Sequence, residues 1–191
     1  MTDLALFPLG TVLFPGGLLP LRIFEARYVD LVGRCMREGQ VFGVVLTLAG
    51  RDTDREVGTA DIGCAARIVD FQTLEDGLLG ILCRGEQRFR ILSRSRQDDG
   101  LNRAVVEWVP EPARSPVPEA FEPVVPVLRK ALAHLRTMGH LVEPDYQSAA
   151  WVGYRLAELL PIEPALQQQM LESDDPIGRL RALAPLLDLS D

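Results

Sequence analysis

Hydrophobic and polar positions change period partway along the chain. Up to about residue 110, short apolar runs alternate with Gly and Asp turn signals, which predicts strands. Phe42 to Leu48 is a nearly unbroken apolar run. Ala65 to Phe71, Leu78 to Cys83, Gln87 to Ser95 and Arg103 to Val109 follow. Asp76-Gly77 and Asp99-Gly100 stand between runs as hairpin turns. One helical stripe interrupts this region. Tyr28, Leu31, Val32, Cys35 and Met36 fall at i, i+3, i+4, i+7 and i+8, so residues 26 to 38 are predicted to be a helix packed by that stripe. Gly39 stands where its C-cap belongs.

After residue 110 the period becomes helical. Four prolines between Pro110 and Pro118 predict an extended linker. Val125, Leu128, Leu132 and Leu135 mark one helix, with Pro123 near its first turn and Pro126 a kink if it lies further in. Ala149, Val152, Leu156, Leu159 and Leu160 mark a second, stopped by Pro161. A third spans about Pro164 to Leu171, and Asp174 or Asp175 caps a fourth at Pro176. The expected organisation is α+β: a mixed β-barrel over 1–110 with one packed helix, a proline-rich linker over 111–118, and a C-terminal α-helical bundle over 119–191.

A chain of 191 residues can bury a core without metal or disulfide. Its formal net charge of -7 argues against duplex DNA or an anionic membrane as the main partner. Cys35, Cys64 and Cys83 lack CxxC spacing and read as free thiols in a reducing cytosol. The N-terminus has no basic region followed by an apolar core, and no apolar run is long enough to span a membrane, so a cytoplasmic location is expected.

Candidate chemistry is sparse. There is no GxxxxGK[ST], no GxGxxG and no GxSxG. His134 and His140 are six residues apart, about 240° round a helix, so they cannot hold one metal as an i, i+4 pair would. No catalytic residue, metal or cofactor is expected.

One stretch is more specific than any periodicity: Leu6-Phe7-Pro8-Leu9, then Val12-Leu13-Phe14-Pro15-Gly16, then Leu19-Pro20-Leu21-Arg22-Ile23-Phe24-Glu25-Ala26-Arg27-Tyr28. This resembles the opening of the N-terminal domain of the ATP-dependent Lon protease. Phe42-Gly43-Val44-Val45, Ala66-Arg67-Ile68, Gly85-Glu86-Gln87-Arg88-Phe89-Arg90-Ile91 and Leu156-Ala157-Glu158-Leu159-Leu160-Pro161 continue the resemblance in order, from about Leu4 to Leu187. Arg22 stands where the family commonly has histidine, and Ala26 where it commonly has proline. The resemblance implies a PUA-like, six-stranded mixed barrel with a helix, then a helical bundle. It also implies recognition of polypeptide, while the family's ATPase and peptidase motifs are not found in these residues.

Two candidate binding segments follow. In the first, Arg22, Phe24, Glu25, Arg27 and Tyr28 set charge beside aromatic area; they either recognise a polypeptide or hold an architectural turn. In the second, Arg88, Arg90 and Arg94 share one face of an unbulged strand, with Phe89 and Ile91 turned to the core. That ladder is either a solvated face or a site for acidic peptide segments or an anionic ligand, with Glu86, Glu107 and Asp98-Asp99 as matching carboxylates. The expected function is a non-enzymatic polypeptide-binding module, acting on exposed polypeptide segments or a partner protein, as a monomer or weak dimer. Binding of RNA, open to PUA-like barrels, is the alternative, and an uncharacterised enzyme is a third reading.

Overall fold

The computed structural model describes residues 1–48, 58–137 and 144–187, with side chains to residue 133 in the helix that ends the second of these stretches. The chain divides into two compact units, Met1–Pro110 and Glu111–Asp191.

The first unit is a mixed sheet with one helix. Strands β1 (Thr2–Leu9), β2 (Leu18–Ile23), β3 (Phe42–Leu46), β4 (Ile62–Thr73), β5 (Leu79–Arg96) and β6 (Asn102–Trp108) take the order β2-β5-β4-β3-β1-β6. β1 and β3 pair in parallel; the other pairings are antiparallel. β5 also pairs with β6, which closes five strands into a ring. β2 stands outside that ring, attached only to β5. The expected six-stranded barrel is thus a six-stranded sheet with a five-stranded closure.

Two apolar clusters fill it. Phe7, Ile23, Tyr28, Leu31, Val32 and Phe42 belong to one, and Leu6, Val45, Phe89, Ile91 and Val106 to the other. Helix α1 (Ala26–Glu38) has the predicted bounds and buries Tyr28, Leu31, Val32 and Cys35. Met36 departs from the expected stripe and is 41% exposed. Gly39 ends the helix at φ 66, a conformation open to glycine without a Cβ penalty, and its N–H bonds the Cys35 carbonyl.

The runs Leu78 to Cys83 and Gln87 to Ser95 are one strand. Gly85, which stands between the two runs, lies inside β5. The reason is close approach: a Cβ there would stand 2.1 Å from the Phe14 carbonyl oxygen. β5 carries a bulge against β6, between Ile91 and Ser93.

The second unit is helical: α2 (Val124–Thr137), α3 (Ala149–Leu159), α4 (Pro164–Glu172) and α5 (Pro176–Leu183). Pro126 falls in the first turn of α2, where proline is tolerated, so it causes no mid-helix kink. Asp175 caps α5 by accepting from the Ile177 N–H. α3 packs against α2, α4 and α5. Arg179 is buried there, over the Tyr154 ring at 4.1 Å, and donates to the Met170 and Ser173 carbonyls at the end of α4. Residues 115–117 are tied to the start of α3 by main-chain bonds, Ala149 N–H to Ser115 and Val117 N–H to the Gln147 carbonyl. His140 lies outside the described residues, as does the side chain of His134.

Candidate functional site

The motif between Arg22 and Tyr28 runs from the end of β2 into the first turn of α1. Glu25 is the N-cap residue, with extended backbone, and its carbonyl accepts from the Tyr28 and Val29 N–H groups. The break from strand to helix therefore falls between Ile23 and Ala26. Ile23 turns into the core, and Phe24 is left outside at 71% exposure.

The first turn is anchored by Tyr28. Its ring stacks on Phe7 of β1 with centroids 3.9 Å apart and planes inclined by 16°. Burial raises the Tyr28 phenol above its usual pKa; Glu25 adds to that rise, while Arg27 and Arg96 oppose it. Arg27 lies over the same ring at 4.9 Å. Its Nη2 pairs with Glu25 at 2.6 Å, and its Nη1 donates to the Gly100 carbonyl at 2.8 Å. Arg96, near the end of β5, donates to the same carbonyl at 3.3 Å. Arg22 pairs with Asp76 of the β4–β5 hairpin, and both remain well exposed.

These side chains surround a pocket of about 400 Å³. Arg22, Phe24, Glu25, Arg27 and Tyr28 all line it, so the first candidate segment converges on one cavity. Phe7, Pro8 and Leu9 of β1 form another wall, with Thr47, Arg96 and Asn102 closing it. Three guanidinium groups and one carboxylate line the cavity, giving it a positive balance in an acidic chain.

The second candidate segment does not form a ladder. Arg88 is completely buried, whereas Arg90 is exposed and stands across from Glu107. The reading required an unbulged strand. The extra residue at Leu92 reverses the phase, so Arg94 and Arg96 stand opposite Ala104 and Asn102, on the other face from Arg90. Arg94 reaches Asp61 at 2.6 Å and the Thr59 and Ala60 carbonyls at 3.2 Å. Arg67, not the arginines of β5, takes Glu86. Arg96 is the site residue that sequence parity concealed, because the bulge sends it into the pocket. Phe7, Pro8 and Leu9 carried a signal, since they belong to the same motif.

Among the described residues, no group of three or more His, Cys, Asp or Glu side chains is arranged to hold a metal ion, and no helix is long and apolar enough to cross a membrane.

The chain resembles known proteins over almost its full length. The crystal structure of a Lon N-terminal domain protein from Xanthomonas campestris superposes with a TM-score of 0.79 at 37% identity, covering 97% of this chain and 98% of that one. The N-terminal domain of the Mycobacterium avium complex Lon protease, at 18% identity, shares the fold with a TM-score of 0.65 over 100% of this chain and 99% of that one. Lon protease of Paraburkholderia phytofirmans is 31% identical over 88% of this chain, which spans only 22% of that relative's length. The family model for the ATP-dependent protease La (LON) substrate-binding domain matches residues 3–188, and the chain belongs to that family.

Proposed function

We propose that this chain is a non-catalytic polypeptide-binding module and that the pocket between β1, β2 and α1 receives an extended segment of its client. The observation that carries the reading is Phe24. A phenyl ring 71% exposed, at the rim of a 400 Å³ cavity and beside Arg22, gives a ligand apolar area and a planar donor at one place. Burying such a ring against a partner recovers hydrophobic free energy that the isolated chain forgoes. The cavity is of small-ligand size, which suits a short unfolded stretch better than a folded surface. Family membership supports the same reading. Three free, buried cysteines are in keeping with a reducing compartment such as the cytoplasm.

The test is fluorescence anisotropy of a labelled, unstructured apolar peptide with the 191-residue protein. Binding in the micromolar to millimolar range is expected, with at least a tenfold loss on Phe24→Ser and no change in melting temperature. Saturable binding of single-stranded RNA, absent for peptide and falling steeply with salt, would favour the RNA reading instead.

A further inference from the structure

The main chain around the pocket carries a second kind of information. The Gly85 N–H donates to the Gly17 carbonyl at 2.8 Å, which sets the phase of β2. Main-chain groups alternate sides along a strand, so Leu19, Leu21 and Ile23 turn theirs to β5, and Leu18, Pro20 and Arg22 turn theirs to the open edge. Pro20 fits that phase, because its missing N–H falls where no β5 carbonyl waits. In β1 the Thr47 N–H donates to the Leu9 carbonyl at 2.8 Å, so Phe7 and Leu9 turn to β3 and Pro8 turns the other way. On that side β6 has already ended, since Leu6↔Asn102 is the last β1–β6 pair. By this phase the Pro8 carbonyl points away from β3, and the Pro20 and Arg22 carbonyls point away from β5. Two strand edges therefore border this region and offer carbonyl acceptors; Pro8 and Pro20 present no N–H there, and Arg22 presents one beside its carbonyl.

The side chains offer the opposite polarity. Arg22, Arg27 and Arg96 line the cavity with one carboxylate, Glu25, and Asp76 outside the lining pairs with Arg22, so the guanidinium groups stay in excess. A ligand matched to both must donate N–H groups to carbonyls and present negative charge to guanidinium groups a few ångströms away. A polyphosphate has charge but no donors, and a cationic peptide has donors but the wrong charge. An extended peptide bearing a carboxylate has both.

We infer that the pocket takes the carboxylate of an extended peptide. Arg27 and Arg96 hold the charge, the carbonyls of Pro8 and Arg22 accept peptide N–H groups, and Phe24 covers a neighbouring apolar side chain. This rests on the peptide-binding reading above and narrows it to one chemistry, whose source is either a chain terminus or an Asp or Glu side chain.

Three forms of one labelled apolar heptapeptide separate these possibilities: free C-terminal acid, C-terminal amide, and amide with one internal Glu. The free acid is expected to bind at least tenfold more tightly than the amide, and the gap to narrow with salt. If the Glu-containing amide recovers the affinity, a side-chain carboxylate serves; if it does not, the terminus is the ligand. Arg96→Gln is expected to reduce the acid-to-amide ratio below threefold. Arg22→Gln, at a 60% exposed side chain, provides a second variant with no folding risk. Equal binding of acid and amide, both weakened by Phe24→Ser, overturns the carboxylate inference and leaves the peptide reading standing. No binding of any form overturns both.

Discussion

Tyr28 lies flat against Phe7, ring centroid to ring centroid at 3.9 Å, and this stack joins α1 to β1 at the back of the pocket. It makes part of the motif architectural. Tyr28 is 6% exposed and Phe7 is 7% exposed. Removing the ring leaves a cavity in the larger cluster, so Tyr28→Ala should cost about 3–4 kcal/mol in urea unfolding. Tyr28→Phe keeps the stack and should cost under about 1 kcal/mol. A Tyr28→Ala protein of wild-type stability would show that the helix is held by other contacts.

Charge reversal should divide the two arginines flanking Phe24. Arg22 is paired with Asp76 at the surface, and such pairs contribute little, so Arg22→Glu should leave stability within about 0.5 kcal/mol while weakening ligand binding. Arg27→Glu loses the bond to the Gly100 carbonyl and sets a second carboxylate beside Glu25. It should cost about 2 kcal/mol. Paired thermal melts and anisotropy titrations check both expectations. Equal destabilisation by the two changes would contradict this division.

Gly85→Ala should be damaging although alanine suits a strand better than glycine does. The new Cβ would stand 2.1 Å from the Phe14 carbonyl oxygen and 3.2 Å from Cys64 Sγ. Overpacking against main chain should cost about 3 kcal/mol, read as a lowered urea midpoint with unchanged slope.

Alkaline pH should destabilise the fold. Burial pushes the Cys83 thiol up to about 12, with Cys35 adding to the rise, and burial also raises Cys35 itself. In the unfolded chain these thiols ionise near 9, so the folded state retains protons that the unfolded state has released. Stability should be constant below about 9 and fall as pH rises toward 12. Urea midpoints at neutral and alkaline pH measure the slope, and Cys83→Val should flatten it. The same burial predicts that none of the three thiols reacts with Ellman's reagent at pH about 8 until the chain unfolds.

The legible parts of the fold are those set by local chemistry. α1 shows its stripe and its glycine cap, and both hairpin glycines take the positive φ that the Asp-Gly pairs predict. The pocket is legible in half, because the motif from Arg22 to Tyr28 is contiguous while its opposite walls come from β1, β5 and β6. What sequence reading missed depends on pairing. Leu78 to Cys83 and Gln87 to Ser95 read as separate runs, and the glycine that joins them is explained only by the Phe14 carbonyl passing over it. Arg88 reads as exposed from alternation alone, yet it is buried. The extra residue in β5 has no signature of its own, because Leu92 is an ordinary strand residue whose register exists only relative to β6.

That one-residue excess makes β5 a frame-dependent message. With Leu92 in place, parity changes within the strand, and the last arginine of the run faces the cavity. Pairing Leu92 regularly against Val105 would turn Arg94 and Arg96 to the outer face, whereas deleting Leu92 would set Ser93 directly after Ile91 and leave both arginines opposite Ala104 and Asn102. The cationic wall is thus set by whether the strand absorbs its extra residue as a bulge, a property of pairing that no single residue type displays. How Leu92 is accommodated, more than which residue stands there, decides what the cavity presents.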